Sequence, residues 1–214
     1  MPDKPCPGWE YGYHPDAAVV LPSRAADILA DLKQHPDGSE QSMRDTRPFH
    51  KTMFSGLTPP SFDHYAGHYR GEILDCLKEA RVKLTNNADP RVGFEPDWVH
   101  NSMKKTAEKI SDILFEMDML QLEDPAVPRD EFLVKAVEHS CEVFESFLEI
   151  HPYINGNGHM GRFIIIALLG RYGFWMKDWE IHQRPKEPEY SECIKLHRDG
   201  QVTFLQRLIL QQFV

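Results

Sequence analysis

The segment that most constrains this chain is a turn between two apolar helices. Its sequence over residues 151–162 is His-Pro-Tyr-Ile-Asn-Gly-Asn-Gly-His-Met-Gly-Arg. Gly156 and Gly158 permit backbone angles that are closed to other residues and let a ligand approach the main chain. The apolar run Phe163–Leu169 follows at once, so the turn must open a helix at the centre of the domain. The free N–H groups at such a helix start form an anion site.

Two side chains in this segment suit chemistry on a phosphate. His151 ends the preceding helix, and a histidine with its unperturbed pKa near ~6.5 can act as a general base. Arg162 falls in the first turn of the next helix, where its planar guanidinium can hold phosphate oxygens. Taken singly, a histidine before a proline is often a helix terminator and Gly-Asn-Gly an ordinary turn. Because both occur in this order before a buried helix, we interpret the segment as a phosphate-transfer site.

The composition limits the classes of function. The chain has 214 residues, 41% of them hydrophobic, which supports a domain with its own core. A net charge of −9 opposes a broad nucleic-acid interface. The longest apolar run is too short to span a membrane, and the first residues contain no apolar signal segment. We therefore expect a cytoplasmic protein that binds neither nucleic acid nor membrane.

The cysteines and two histidines give further expectations. The four cysteines form no Cys-x-x-Cys pair, which favours free thiols in a reducing compartment. Cys141 lies on the apolar stripe of the helix leading to His151, so packing is favoured over a nucleophilic role. His64 and His68 have the spacing of a metal pair on a helix, but no third ligand is evident.

Apolar spacing elsewhere predicts a mainly α-helical chain. Ser23 can cap a helix that ends near Gln34, and Asp97 can cap a long helix that ends before Pro125. Further helices are predicted at 62–69, 130–151, 158–171 and 189–213, the last interrupted near residue 200. The first 22 residues are rich in proline and predict an extended arm. Strand-like residues at 81–84 and 92–94 flank a turn and predict a small β-hairpin.

These residues resemble the signature of Fic (fido-fold) domains, His-x-Phe-x-Asp/Glu-Gly-Asn-Gly-Arg-x-x-Arg. Ala66–Arg70 is similar to the family's Ala-Gly-x-Tyr/Phe-Arg piece, and Tyr190 and Asp199–Gly200 resemble its closing helical region. The resemblance covers roughly residues 45–210 and implies a mainly α, fido-like helical bundle with a small β-hairpin flap. It divides the chain into an N-terminal arm and helix at 1–44 and a Fic-like domain at 45–214.

The resemblance also implies a role for individual residues. His151 would be the catalytic base that takes the proton from a target hydroxyl. The residues implied to bind the nucleotide and its phosphates are Asn155, Gly156, Asn157, Gly158, His159, Gly161 and Arg162. The residues implied to form the target-positioning flap are Val82, Lys83, Leu84, Val92, Gly93 and Phe94. Tyr153 occupies the phenylalanine position, and its hydroxyl needs a partner if buried.

Two positions depart from the family's pattern. Asn155 stands where the family has the acid that binds Mg²⁺, and a neutral oxygen leaves the metal held largely by phosphates and water. His159 stands at the first arginine and brings at most one charge and no bidentate fork. The resemblance thus implies ATP as donor substrate, with Mg²⁺ weakly held by the protein at Asn155.

The leading interpretation is a protein adenylyltransferase that moves AMP from ATP to a Ser, Thr or Tyr hydroxyl of a target protein. One alternative is a Fic-like phosphotransferase or a transferase that uses another donor. The other is a catalytically silent nucleotide-binding module. Many Fic proteins carry an inhibitory helix with Ser/Thr-x-x-x-Glu-Gly/Asn, which has no match here, so the chain is either unrestrained or controlled by a separate inhibitory partner.

Overall fold

The structure, a computed structural model, describes residues 6–82 and 89–213, apart from the side chain of Tyr13. These residues contain eight α-helices joined by turns and short 3₁₀ segments. The helices are α1 Ala17–Gln34, α2 Ser39–Arg44, α3 Arg47–Phe54, α4 Pro96–Glu123, α5 Arg129–Ile150, α6 Asn157–Arg171, α7 Glu189–Arg198 and α8 Thr203–Leu210. The mainly helical class predicted from the sequence is confirmed.

The core is built around α6. Every residue from His159 to Gly170 is buried, because this helix is apolar on nearly all sides and has no face suited to water. Helix α5 packs along it, and α1 and α2 contact it from other directions, while α4 packs on α5. Each fully buried leucine or isoleucine stabilises the fold by about 1.5–3 kcal/mol relative to exposure. The turn between α5 and α6 is therefore held by the most buried part of the molecule.

Two predicted helices differ from the structure. Helix α1 begins at Ala17, ahead of Ser23, and runs through Pro22. Its buried residues, at helical spacing from Ala17 to Leu32, outweigh the backbone hydrogen bond that the proline removes. The predicted helix at 62–69 is wrong, since only a 3₁₀ turn forms at Asp63–Tyr65 and the left-handed Gly67 soon follows.

The predicted hairpin is not confirmed. Lys83, Leu84 and the following turn residues 85–88 lie outside the described residues, and neither 81–82 nor 89–94 forms a strand. The N–H of Gly93 donates to the Glu149 carbonyl at 2.7 Å, and that of Phe94 donates to the Ile150 carbonyl at 3.3 Å. The segment at 93–94 therefore pairs with the last turn of α5. This pairing uses backbone N–H groups that a hairpin strand would need. Gly93 nevertheless packs directly against Val82, so the two segments lie side by side.

The N-terminal arm, residues 6–16, lies on the helical bundle and is attached covalently. Cys6 and Cys76 form a disulfide, so the prediction of free thiols is wrong for this pair, whereas Cys141 and Cys193 are free and buried. The pairing arises because the fold brings together residues 70 positions apart. Disulfides are typical of oxidising compartments, so the cysteines no longer support a reducing one, and the cellular location stays a prediction. Within the described chain, none of the helices has the length and apolar character needed to cross a membrane.

Candidate active site

His151 sits at an unusual point of the backbone. Helix α5 ends at Ile150, and His151 adopts the left-handed conformation with φ 53° and ψ 60°. The following proline disfavours the right-handed helical region for the residue before it, which ends the helix here. A non-glycine residue in this conformation costs of the order of 1–3 kcal/mol and persists only when its surroundings hold it.

Arg70 supplies much of that support. The side chain is 1% exposed, and its guanidinium donates to the carbonyls of His151 and Ile150 at 2.8 and 3.0 Å. It also donates to the carbonyls of Ala80 and Phe94 at 2.9 and 3.1 Å. Burial lowers the pKa of Arg70 to about 10, so it stays charged at neutral pH. Arg70 connects the backbone of the predicted base to the Ala80 and Phe94 carbonyls. The sequence analysis matched Ala66–Arg70 to the family but assigned Arg70 no role.

The turn itself is fixed by polar side chains. Asn157 accepts from the Tyr153 N–H and donates to the Tyr153 carbonyl, both at 2.9 Å. The hydroxyl of the fully buried Tyr153 finds its partner in Thr46 at 2.7 Å. His50 accepts from the Gly67 N–H at Nδ1 and donates from Nε2 to the Asn155 carbonyl. The Asn157 side chain thus fixes the turn from inside rather than offering its amide to a ligand.

Gly156 and Gly161 are required for different reasons. Gly156 has φ 83°, and a Cβ there would lie 2.5 Å from the Phe54 ring. A Cβ at Gly161 would lie 2.8 Å from the Phe144 ring of α5. Gly161 therefore allows α5 and α6 to pack closely, and it does not line the cavity at the turn.

The side chain of Asn155 connects the turn to the N-terminal arm. Its Nδ2 donates to the Trp9 carbonyl at 2.8 Å, and its Oδ1 accepts from the Gly156 N–H at 2.7 Å. A carboxylate in this position could not donate to Trp9, which gives the departure from the family's acid a structural reason. Trp9 is itself buried and donates from Nε1 to the Leu57 carbonyl at 2.8 Å.

The side chains at the turn do not fit a resident Mg²⁺ ion. No carboxylate lines the cavity at the turn in the described part of the chain. Among the described residues, no group of three or more histidine, cysteine or acidic side chains is arranged so that it could hold a metal ion. Both amide atoms of Asn155 are already engaged in hydrogen bonds. A divalent ion at this site would therefore have to be held by the nucleotide's own phosphates and water. His64 and His68 contact different partners, the Asp75 carbonyl and the Glu72 carboxylate.

A cavity of about 300 Å³ lies over the turn. The residues that line it are Tyr11, His151, Asn155, Gly156, Asn157, Gly158, His159, Arg162 and Arg184. Most of the predicted phosphate-binding residues are thus brought together. Tyr11 and Arg184 were missed by the sequence analysis, because they come from the arm and from a loop without periodicity.

Arg162 is the buried cation of this cavity, and it is 1% exposed. Its Nε and Nη2 donate to the Ile181 carbonyl at 3.1 and 2.8 Å, and Nε also reaches the Glu180 carbonyl at 3.1 Å. Its Nη1 faces the turn, 3.3 Å from where a Cβ on Gly158 would lie. Burial lowers the pKa of Arg162, an effect that the neighbouring Tyr190 hydroxyl opposes.

His159 brings no positive charge to the cavity at neutral pH. Burial, followed by the charge of Arg162, lowers the pKa of its imidazole to about 3. The Tyr11 hydroxyl lies 3.4 Å from Nδ1, and the Tyr11 ring packs edge-on against the imidazole. The position that holds an arginine in the family signature is therefore occupied by a neutral ring covered by the arm.

His151 lies between this cavity and a larger one. Burial and then the charge of Arg70 lower the pKa of His151 to about 4, while the Leu148 carbonyl opposes the shift, so the ring is neutral at neutral pH. The larger cavity measures about 840 Å³ and runs between the arm and residues 73–82. Val82 lines it, whereas Val92, Gly93 and Phe94 line neither cavity. A neutral imidazole thus lies between the cavity that contains the buried Arg162 and the larger cavity.

Comparison with known proteins assigns the family. No curated protein matches the sequence. A family model described as Fic/DOC matches residues 42–169, more than half of the chain, including α5, the turn and most of α6. The division of the chain at residue 44 stays a prediction. The Fic/DOC family is known for modification of proteins, such as AMPylation. The chain belongs to the Fic/DOC family.

Proposed function

We propose that the chain is a protein nucleotidyltransferase that moves AMP from ATP to a hydroxyl side chain of a target protein. The observation that carries this proposal is the position of the neutral His151 between the anion cavity at the turn and the larger groove. A transferase needs its base where the donor and the acceptor meet. Among the described residues, His151 and Asn155 line both the cavity at the turn and the larger groove, and of these two His151 can act as a base.

The donor's phosphates would lie on the N-terminal end of α6. Backbone N–H groups and the helix dipole favour negative charge there. The Nη1 of Arg162 faces the same turn and would add a charge-assisted hydrogen bond. Mg²⁺ bound to the phosphates would offset their charge, and no residue described here is assigned to hold it.

The chemical step follows from the neutral base. His151 would take the proton from a Ser, Thr or Tyr hydroxyl as its oxygen forms a bond to the α-phosphorus of ATP. The bond from the α-phosphorus to the bridging oxygen would break, and pyrophosphate would leave. A positioned general base typically contributes about 10²- to 10⁴-fold to the rate.

The target would enter through the larger groove. One wall is the arm from Cys6 to Glu10, and the opposite wall is the segment from Ile73 to Val82. Both acidic and basic side chains line it, including Glu10, Lys78 and Arg81. A groove of mixed charge suits an extended protein loop better than a uniformly charged partner.

Position of a radiolabel tests the proposal. Purified protein and cell lysate are incubated with ATP labelled at either the α- or the γ-phosphate, beside a His151→Ala variant. We expect protein-bound label from the α-phosphate only, and a loss of at least about 100-fold in the variant. Label retained from the γ-phosphate alone would instead establish phosphotransfer, the alternative favoured by the neutral His159 and the engaged Asn155. Saturable ATP binding without any covalent product would favour a silent binding module.

A further inference from the structure

Arg162 is the one buried cationic side chain among the described residues that line the cavity at the turn. His159 is neutral and covered by Tyr11. Two of the three guanidinium nitrogens of Arg162 donate to backbone carbonyls, which leaves Nη1 facing the turn. Arg162 thus presents one edge of its guanidinium to the turn, and a single guanidinium edge contacts only some of the oxygens of a triphosphate.

A second cation lines the same cavity. Arg184 comes from the loop between α6 and α7, and its side chain reaches the space bounded by His151, Gly158 and Arg162. Its charge acts on this site: burial raises the pKa of Tyr11, and the charges of Arg162 and Arg184 both oppose that rise. Burial also raises the pKa of Tyr190, and the charges of Arg162 and then Arg184 again oppose that rise.

Buried residues and a contact with Arg162 hold the loop that carries Arg184 next to the cavity. Its residues Trp179 and Ile181 are buried, and the Ile181 carbonyl is the one that holds Arg162. Arg184 itself pairs with Glu187 at 3.3 Å. Glu187 in turn accepts from the N–H and hydroxyl of Ser191 at 3.1 and 2.8 Å. Glu187 is therefore fixed at the start of α7 and keeps the guanidinium near the cavity.

The ion pair with Glu187 contributes too little to stability to be the main role of Arg184. The Arg184 side chain is 65% exposed, and exposed ion pairs contribute little to stability, so exchanging Glu187 for a phosphate costs little. A phosphate would offer a stronger, doubly charged partner to the same planar fork of donors.

We propose that Arg184 binds the phosphate chain of the nucleoside triphosphate and supplies the cation that His159 does not. The donor would thus enter between two arginines, the buried Arg162 of α6 and the exposed Arg184 of the loop before α7. This inference rests on the proposed nucleotide-transfer function and adds a residue outside the family signature.

Calorimetric titration of the full chain tests the proposal. ATP, ADP, AMP and tripolyphosphate are titrated in the presence of Mg²⁺ into the wild type, Arg184→Ala and Arg184→Lys. Loss of a hydrogen-bonded charge contact predicts an ATP dissociation constant raised roughly 10- to 100-fold in Arg184→Ala. The effect should be smaller for ADP and smallest for AMP, and Arg184→Lys should be intermediate because it keeps the charge without the fork. Lys186→Ala is the matched control, because it removes the same charge from an exposed residue of the same loop that does not line the cavity.

The outcomes separate this inference from the proposed function. Equal ATP affinity of the wild type and Arg184→Ala would overturn the role of Arg184 and leave the nucleotide proposal intact. An equal loss in Lys186→Ala would also overturn it, because the effect would then be diffuse charge. If the wild type binds tripolyphosphate but not ATP, and Arg184→Ala loses that binding, the role of Arg184 is supported and the ATP proposal fails. If the wild type binds neither anion, both fail.

Discussion

At the scale of single residues, the amide nitrogen of Asn155 gives this signature position a different role from that of the family's acid. Its Nδ2 donates to the Trp9 carbonyl, which a carboxylate cannot do. The acid that binds metal in the family signature is thus exchanged for an amide that fastens the arm. The neutral His159 is the second departure from the signature. We propose that the arm and Arg184 supply the contacts that these two signature positions no longer make.

Asn155→Asp tests that interpretation. The substitution keeps the shape but places a carboxylate against the Trp9 carbonyl, so we expect stability to fall by about 1–3 kcal/mol. Denaturant unfolding measures the change, and hydrogen exchange should show faster exchange at residues 8–11. Asn101→Asp on the exposed face of α4 adds the same charge and should change stability by less than about 0.5 kcal/mol. Unchanged stability and exchange in Asn155→Asp would contradict the anchoring role.

At the scale of elements, the arm is fastened at three points within a short stretch. These are the disulfide to Cys76, the Trp9 contact with Leu57 and the Asn155 contact. The arm forms one wall of the groove and places Tyr11 at the anion cavity. An element outside the matched region therefore shapes both spaces of the candidate site.

Removal of the disulfide should loosen the arm. A Cys6→Ser, Cys76→Ser double variant loses a cross-link between distant residues, which typically lowers stability by about 2–4 kcal/mol. Thermal unfolding with and without reductant measures the effect. Reductant should lower the midpoint of the wild type to that of the double variant and leave the variant unchanged. An unfolding midpoint of the wild type that does not change with reductant would show that the Cys6–Cys76 cross-link does not stabilise the fold.

Local signals explain which elements could be predicted. The turn and α6 follow from glycines and an unbroken apolar run, both of which are local properties of residues 156–170. The start of α1 was missed because burial of Ala17 and Leu21 overrides Pro22, which is a tertiary effect. The hairpin predicted at 81–94 stays unconfirmed, and the pairing of the Gly93 and Phe94 N–H groups with α5 is a tertiary contact of the same kind. Arg184 gave no signal, as an arginine in an irregular loop does not reveal which cavity it lines.

At the scale of the whole molecule, three histidines around the site are kept neutral by the fold. Burial lowers the pKa of His50 and His159 to about 3 and is also the main reason that His151 lies at about 4. Unfolded histidines titrate near ~6.5, so below that pH the unfolded chain binds more protons than the folded one. Their neutral state favours the fold fully above pH ~6.5, and this contribution is lost as the pH falls toward 3–4.

Acid should therefore destabilise the protein through these histidines. The free energy of unfolding should fall between pH 6 and 4 by about 1.4 kcal/mol per pH unit for each histidine that remains neutral. Urea titrations at a series of pH values measure the slope. His159→Gln should reduce it, whereas His35→Gln, on the exposed end of α1, should leave it unchanged. A slope equal in the wild type and His159→Gln would show that His159 is not held neutral.

His151 is proposed to act as the general base for AMP transfer, and the intact mass of the products tests this role. The purified chain is incubated with ATP and Mg²⁺ or Mn²⁺, alone and with cell lysate, beside His151→Ala. We expect a mass gain of one AMP on the chain or on a lysate protein, and no such gain with the variant. A gain of one phosphate, a gain that persists in His151→Ala, or no covalent product with any nucleotide donor would contradict it.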